Sequence, residues 1–385
     1  MINRYYPKKY PIFLEGIVRL CYFSLFSFFK INLLIPRNKH LFLVGTRNQN
    51  VALSLVVNKV DHSLKVSFHN FKETGVYRLP EFIFYILGWV TLPFSMLQLH
   101  EVEARQRVPL IRRLERLAVS GCAIYVWKIL LRIWKPLSVT VSNDHNIWTR
   151  SVLLACREIG IKTCYIPHGI TNLKFPPLEA DYSFLDSEIQ KKNYRNNCSK
   201  VMVVGSVRFE DKIAAFSLDD FSVKNGLAIC FNDHDSTEFM FDMIRKALDL
   251  KKWTIYVKMH PSDRYRFSEV ENFCLENNAV FIDPACPVYN YRDRLKILLA
   301  GISGVHVDAL MAGVTPCTLK SWYHEDYYQL IEDDLLFVFE SLEEINSLSD
   351  EEIAQIMQSR EKLNEHLKEI NTLPSDKLAS FYKKL

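Results

Sequence analysis

Cys164-Tyr-Ile-Pro-His168-Gly169-Ile170 is the stretch that decides how this 385-residue chain folds. A short run of β-formers stops abruptly at a His beside a Gly, so a strand delivers an imidazole to the rim of a sheet. The pattern recurs twice. Residues 253–259 lead into His260-Pro261, and Leu295–Ala300 leads into Gly301-Ile-Ser303-Gly304, a small-residue turn that opens a helix. In open α/β sheets the rim at the carboxyl ends of the strands is where ligands bind. Three such ends in this order point to two α/β domains facing a cleft.

The flanking sequence supports alternation of strand and helix. His40–Val44 reads as a strand, and residues 53–57 and 64–68 as two more. Residues 138–142 (SVTVS) form a strand ending at Asn143-Asp144-His145-Asn146, followed by a helix over 148–159 that Gly160 stops. Strands are expected at 162–167, 182–185, 201–204, 227–231, 280–282 and 315–319, with helices over 237–250, 266–277 and 305–312. Residues 101–134 read as one long basic helix with a break near Gly121. Strands joined through short helical crossovers imply parallel βαβ units. The expected division is an apolar, basic N-terminal segment (1–36), a first Rossmann-like domain (37–208), a second (222–349) and a C-terminal helical tail (350–385) that packs back.

Composition bounds the function. Hydrophobic residues make up 49% and charged residues 24%, ordinary for a folded globular protein. The nine Cys are scattered without a C-x-x-C pair. They read as reduced thiols of a cytosolic protein rather than a disulfide framework or zinc site. The net charge of +4 conceals an asymmetry: residues 1–150 hold 21 Lys and Arg against 8 Asp and Glu, a balance of +13, and the remainder carries −9. A cationic first half expects something negative: an anionic membrane surface, a nucleic acid or a polyanionic glycan. No recognised nucleic-acid module accompanies the basic helix, so nucleic acid is not expected.

Two apolar runs bear on targeting. Residues 12–36 are interrupted by Glu15, Arg19 and Lys30, and no small-residue cleavage site follows, so neither a spanning helix nor a secretory signal is expected. Residues 82–99 carry no charge but contain Gly88 and Pro93. A buried core helix, an interfacial segment and a true span are the three readings. Aromatic-rich apolar faces flanked by basic residues, here Arg112, Arg113 and Arg116, have the composition of monotopic attachment. The expected location is the cytoplasm, peripheral on the inner face of the cytoplasmic membrane, with residues 1–36 as a membrane-associating segment.

The order of these features resembles the GT-B class of bacterial glycosyltransferases. It is most similar to the capsule and lipopolysaccharide branch containing CMP-sialic acid and CMP-Kdo transferases and CDP-glycerol glycerophosphotransferases. In that branch a first-domain strand ends in His-Gly, matched by His168-Gly169, and a second-domain strand ends in His-Pro, matched by His260-Pro261. A later small or hydroxyl residue that binds donor phosphate is matched by Ser303. The resemblance spans roughly residues 138–320. One departure stands out: the acidic pair before a Gly that serves the sialyltransferases as base motif has no counterpart here, and Asn143-Asp144-His145 occupies a strand end instead. The resemblance implies transfer of an acidic sugar from a CMP-sugar donor to a glycan or glycolipid acceptor. The alternatives are a CDP-polyol phosphotransferase and a non-catalytic membrane-associated scaffold.

The chemistry has its own requirements. Transfer from a nucleotide-activated sugar builds negative charge on the leaving phosphate and needs a base for the acceptor hydroxyl. His260 and Ser303 suit the phosphate, Ser303 as readily a simple N-cap; Gly304 belongs to the same turn, and Lys258 shares the His260 face. Asp144 is the first expectation for the base and His168 its rival, with helix capping as the plain reading of Asp144. Asp233-His234-Asp235 reads as a capping loop near the nucleotide rather than a metal site, with Ser236 and Pro261 counted among the donor-binding residues and the turn Gly205-Ser206 as a minor donor contact. No cofactor or metal is expected.

Overall fold

The computed structural model describes residues 12–28, 35–68, 75–194, 198–213, 223–368 and 372–385. It contains two wholly parallel sheets. The first has seven strands, β1 (His40–Val44), β2 (Ser63–Ser67), β3 (Tyr77–Arg78), β4 (Ser138–Val141), β5 (Lys162–Tyr165), β6 (Tyr182–Leu185) and β7 (Lys200–Val203), in the order β3-β2-β1-β4-β5-β6-β7. The second has six, β8 (Gly226–Cys230), β9 (Thr254–Lys258), β10 (Val280–Ile282), β11 (Leu295–Ala300), β12 (Thr315–Leu319) and β13 (Phe337–Phe339), in the order β10-β9-β8-β11-β12-β13. Strand order reverses between β1 and β4 and between β8 and β11. Such switch points open crevices at the carboxyl ends of the strands.

Both faces of each sheet are covered, as parallel sheets require. The first domain carries α1 (Ile12–Phe28), α2 (Arg47–Lys59), α3 (Glu81–Leu97), α4 (Ala104–Arg112), α5 (Leu114–Trp134), α6 (Ile147–Ile159) and α7 (Glu188–Asn193). The second carries α8 (Thr237–Asp249), α9 (Phe267–Glu276) and α10 (Val305–Met311), followed by α11 (Asp350–Ser359) and α12 (Pro374–Tyr382). One core layer joins β1, β2 and β4 to α3, α5 and α6 around Phe84, Trp127 and Trp148. The opposite face of the same sheet is closed by α2 and α12. A separate apolar cluster of Phe209, Val307, Leu310, Ile353 and Leu363, with Ile170 and Ile189 against it, joins the two domains.

The C-terminal helix crosses back as expected. Tyr382 lies on the first sheet with its hydroxyl 2.5 Å from Thr140 Oγ1, and Phe381 packs edge-on against Tyr182 and Phe184.

Two sequence expectations are corrected. Residues 53–57 belong to α2, not to a strand: Thr46 caps the helix by accepting from Gln49 N, and Leu53 and Val56 are buried at helical spacing. Tertiary packing there overrides the β-branched composition. The basic stretch 101–134 breaks at Arg113 rather than Gly121. Gly121 sits inside α5 because a Cβ there would lie 2.6 Å from Ser95 Oγ, so its absence lets α3 approach. Gly160 does end α6, with φ of 77°.

Candidate functional site

The carboxyl rims of the two sheets meet across a cleft. The loop after β5 holds His168, Gly169 and Ile170, and the turn after β11 holds Ser303 and Gly304. A Cβ placed on Gly304 would lie 3.7 Å from Ile170 Cγ2. The two motifs singled out in sequence, one from each domain, therefore face each other.

On the first-domain side, backbone geometry sets the state of His168. Its Nδ1 lies against the Ser142 carbonyl, which can only accept, so Nδ1 carries the proton and Nε2 keeps its lone pair. Burial pushes the imidazole below the usual histidine range, with the Ser142 carbonyl and the Asp144 carboxylate opposing. A neutral ring with a free Nε2 is a base in its working form. Gln190 holds this loop by donating to the Gly169 carbonyl at 3.3 Å, and Asn193 donates to the Thr171 carbonyl at 2.9 Å.

Asp144 is close enough for its charge to act on His168. It is 1% exposed, with Oδ1 3.3 Å from His145 Nδ1 and Oδ2 without a protein partner. It does not cap α6; Asn146 does, accepting from Thr149 N at 2.9 Å.

On the second-domain side, His260 is exposed at the end of the β9 segment, beside the equally exposed Pro261. Asp233 Oδ2 accepts from the Ser262 hydroxyl at 2.9 Å, and Ser262 Oγ lies 2.6 Å from His260 Nδ1. The carboxylate claims the single hydroxyl proton, so Ser262 Oγ accepts from Nδ1–H and the three groups form a relay. The Ser262 backbone N–H, at 3.2 Å from the same nitrogen, favours the opposite tautomer. The shorter contact and the obligate acceptor decide for the relay. Arg266 fastens this corner, donating to the carbonyls of Asp233 and Asp235 and to the Asp263 carboxylate. Ser303 is half-buried, and its Oγ accepts from Val305 N at 3.3 Å.

The remaining candidates have other partners. Lys258 Nζ donates to the Pro284 carbonyl at 2.7 Å, and burial lowers its pKa. Ser236 caps α8 by accepting from Phe239 N. Gly205, at φ of 91°, packs against the returning C-terminal segment, where a Cβ would lie 2.7 Å from His366 N. Arg112 pairs with Glu15 at 3.3 Å, Arg113 lies at the joint of α4 and α5, and Arg116 is exposed. Asp235 accepts from Asn232 N and Trp322 Nε1, and burial raises its pKa. Among the described residues no group of three or more His, Cys, Asp or Glu side chains is placed to hold a metal ion.

Three residues at the cleft carried no sequence signal. Arg208, after β7, reaches Asp308 on α10 with an ion pair of 3.2 Å that links the domains. Asp186, at the end of β6, lines the same small cavity as Arg208, and burial pushes its carboxyl up to about 7 against the pull of Arg208 and Ser206. Ser262 completes the His260 relay. A lone Arg, Asp or Ser at a strand end has no diagnostic neighbour in sequence. Only the meeting of the domains marks it.

No family model and no curated protein matches the sequence. Solved structures do match. A UDP-N-acetylglucosamine 2-epimerase is 14% identical, covers 91% of this chain and 98% of its own, and superposes with a TM-score of 0.56. Phytolacca americana UGT2, complexed with UDP-2fluoro-glucose and pterostilbene, is 9% identical over 91% of this chain and 100% of its own, TM-score 0.54. The wall teichoic acid polymerase TagF, as a variant soaked with CDPG, is 9% identical over 97% and 98%, TM-score 0.53. The two parallel-sheet, Rossmann-like domains have the GT-B fold of these neighbours. At such identities the likeness carries the fold alone.

Proposed function

We propose that the chain is a transferase that binds a nucleotide-activated donor on its second domain and passes the activated group to an acceptor hydroxyl on its first. The observation that carries this is the apposition of the His168-Gly169-Ile170 loop and the Ser303-Gly304 turn across the cleft. A neutral base on one rim faces hydrogen-bond donors on the other.

The residues divide the work. His168 Nε2 takes the proton from the acceptor O–H, and the acceptor oxygen attacks the activated carbon of the donor. The bond to the donor phosphate breaks, and its electron pair leaves with the nucleotide. The His260 imidazole, its Nδ1 held by the Ser262–Asp233 relay, and the Ser303 hydroxyl stabilise the charge that develops there. Asp144 is too deeply covered to meet the acceptor. Its carboxylate instead favours the imidazolium that His168 becomes. This reading moves the base from Asp144 to His168.

The donor we favour is a CMP-linked acidic sugar, of sialic acid or Kdo type, with a surface glycan or glycolipid as acceptor. With Lys258 held by the Pro284 carbonyl, the donor rim offers one imidazole and one hydroxyl from the motif residues, which suits a single phosphate better than a diphosphate. No metal is assigned to the reaction. The fold shared with TagF supports a second reading, transfer of a polyol phosphate from a CDP-linked donor.

A thermal-shift series with CMP, CDP, UDP and GDP tests the proposal, since a ligand that binds only the folded chain raises its melting temperature. CMP or CDP should raise it. A response to UDP alone would overturn the cytidine reading, and no response to any of the four would overturn the transferase reading. Release of CMP from a CMP-sugar separates the first donor class from the second.

A further inference from the structure

The outer face of the first domain presents a surface that the transfer reaction does not use. Of twenty-five exposed large hydrophobic side chains among the described residues, six lie on α1, six on α3 and three on α5, fifteen in all. They follow helical spacing. Val18 and Leu25 point outward from α1, Val90 and Phe94 from α3, and Ile129 and Ile133 from α5, each between 50% and 70% exposed. The three helices pack on one another: Gly88 lies against Ala118, Phe23 stacks on Tyr85, and Trp89 Nε1 donates to Ser24 Oγ at 3.1 Å.

The polar groups on these helices are arranged to match. Charges that would interrupt the apolar side are paired internally, Arg19 with Glu115 at 3.0 Å and Arg112 with Glu15 at 3.3 Å. Exposed cations gather at the end of α5. Arg132 and Lys135 flank Ile133, and Arg37 Nε donates to the Ile133 carbonyl.

We propose that this face is a monotopic docking surface for an anionic lipid bilayer, with α1, α3 and α5 lying in the interface. Apolar faces bordered by Lys and Arg have this use. The extended α3 segment, Glu81–Glu101, and α5 are each long and apolar enough to cross a membrane by length and composition. Their inner sides exclude a span. Trp127 and Trp134 of α5 are buried in the domain core, and Phe84 of α3 packs on Trp127 and Trp148 at 5.4 and 4.9 Å. Lipid therefore reaches one side of each helix. A second copy of the chain is the poorer occupant, because a two-fold contact sets the same patch against itself and would bring the Arg132 and Lys135 clusters together. The surface stands on these helices alone and is independent of the transfer reaction.

Co-sedimentation of the full chain with vesicles tests it. Phosphatidylglycerol-containing vesicles should bind the protein at low salt, pure phosphatidylcholine vesicles much less, and raising salt to about 0.3 M should weaken the binding. The double change Val90→Glu/Phe94→Glu should abolish binding at every salt concentration, and Val18→Glu/Leu25→Glu should act alike from a different helix. Arg132→Glu/Lys135→Glu should cost about tenfold or more, since each basic group near an anionic surface contributes about 1 kcal/mol. Melting temperature controls for folding. The proposal is overturned if the unaltered chain ignores phosphatidylglycerol vesicles at low salt, or if neither apolar pair changes the binding. It is also overturned if the apolar changes instead dissolve a dimer that never binds vesicles.

Discussion

The two domains share one plan, a parallel sheet with a switch point and helices on both faces, yet their helices meet the outside differently. In the second domain α8 buries Met240, Met243, Ile244 and Ala247 and turns Asp242, Arg245 and Lys246 to solvent. That is the single apolar stripe of a helix on a water-facing domain. In the first domain α3 buries Phe84, Tyr85 and Gly88 and also exposes Ile86, Val90, Phe94 and Leu97. The outer side chains of α3 belong to the proposed docking surface and have no equivalent on α8. The charge balance leans the same way, +13 in residues 1–150 of the first domain and −9 in the rest of the chain.

The largest expected effect separates these roles. His168→Ala should lower turnover by about two to four decades, the usual contribution of a general base, and leave the cytidine-nucleotide thermal shift intact. Full activity in that variant, with loss in Asp144→Asn, would return the base role to Asp144. His260→Ala should cost roughly two to three decades, about 2–4 kcal/mol, and should also shrink the nucleotide shift, because the proposed donor site includes His260. A reduced rate with an undiminished nucleotide shift would detach His260 from donor binding.

A third prediction concerns the stability of the second domain. His306, two residues after Gly304 at the start of α10, is fully buried, and burial lowers its pKa to about 4 from 6.5. The unfolded chain takes up the proton first as pH falls, so this group's contribution is complete above about 6.5 and is lost between 6.5 and 4, up to roughly 3 kcal/mol. Urea unfolding at stepped pH should show that slope, and His306→Phe should flatten it. An unchanged slope in the variant would assign acid sensitivity elsewhere, His40 and His168 of the first domain being, among the described residues, the other imidazoles that burial pushes below their usual range. The smallest effect is expected at Arg112. Its pair with Glu15 is partly exposed, so Arg112→Gln should cost less than about 1 kcal/mol and leave vesicle binding unchanged. A large loss of binding would restore Arg112 to the docking surface.

Much of the fold was legible because its signals are local. A β-branched run ending at His168, the Gly160 stop and the alternation of strand with helix depend on residues near each other in sequence. Residues 53–57 failed as a strand because Thr46 capping and burial of Leu53 and Val56 outweigh composition. The short edge strands β3 and β13 pair only through tertiary contacts and lie outside the sequence expectations. Within the site, the motif residues were visible and their partners were not. That Lys258 turns to Pro284, that Gly205 touches His366 and that Asp144 is buried are consequences of distant segments meeting.

By itself the sequence determined the class of fold, the strand ends that carry His168, His260 and Ser303, and the cationic, apolar character of the first half, because each is written in the order of residues and their charges. The tertiary structure decided which rims face each other, which tautomer His168 holds, which arginines are paired inward and which sides of α1, α3 and α5 remain bare. Those are decided by contacts between segments tens to hundreds of residues apart, and burial and hydrogen-bond geometry exist only once those contacts have formed.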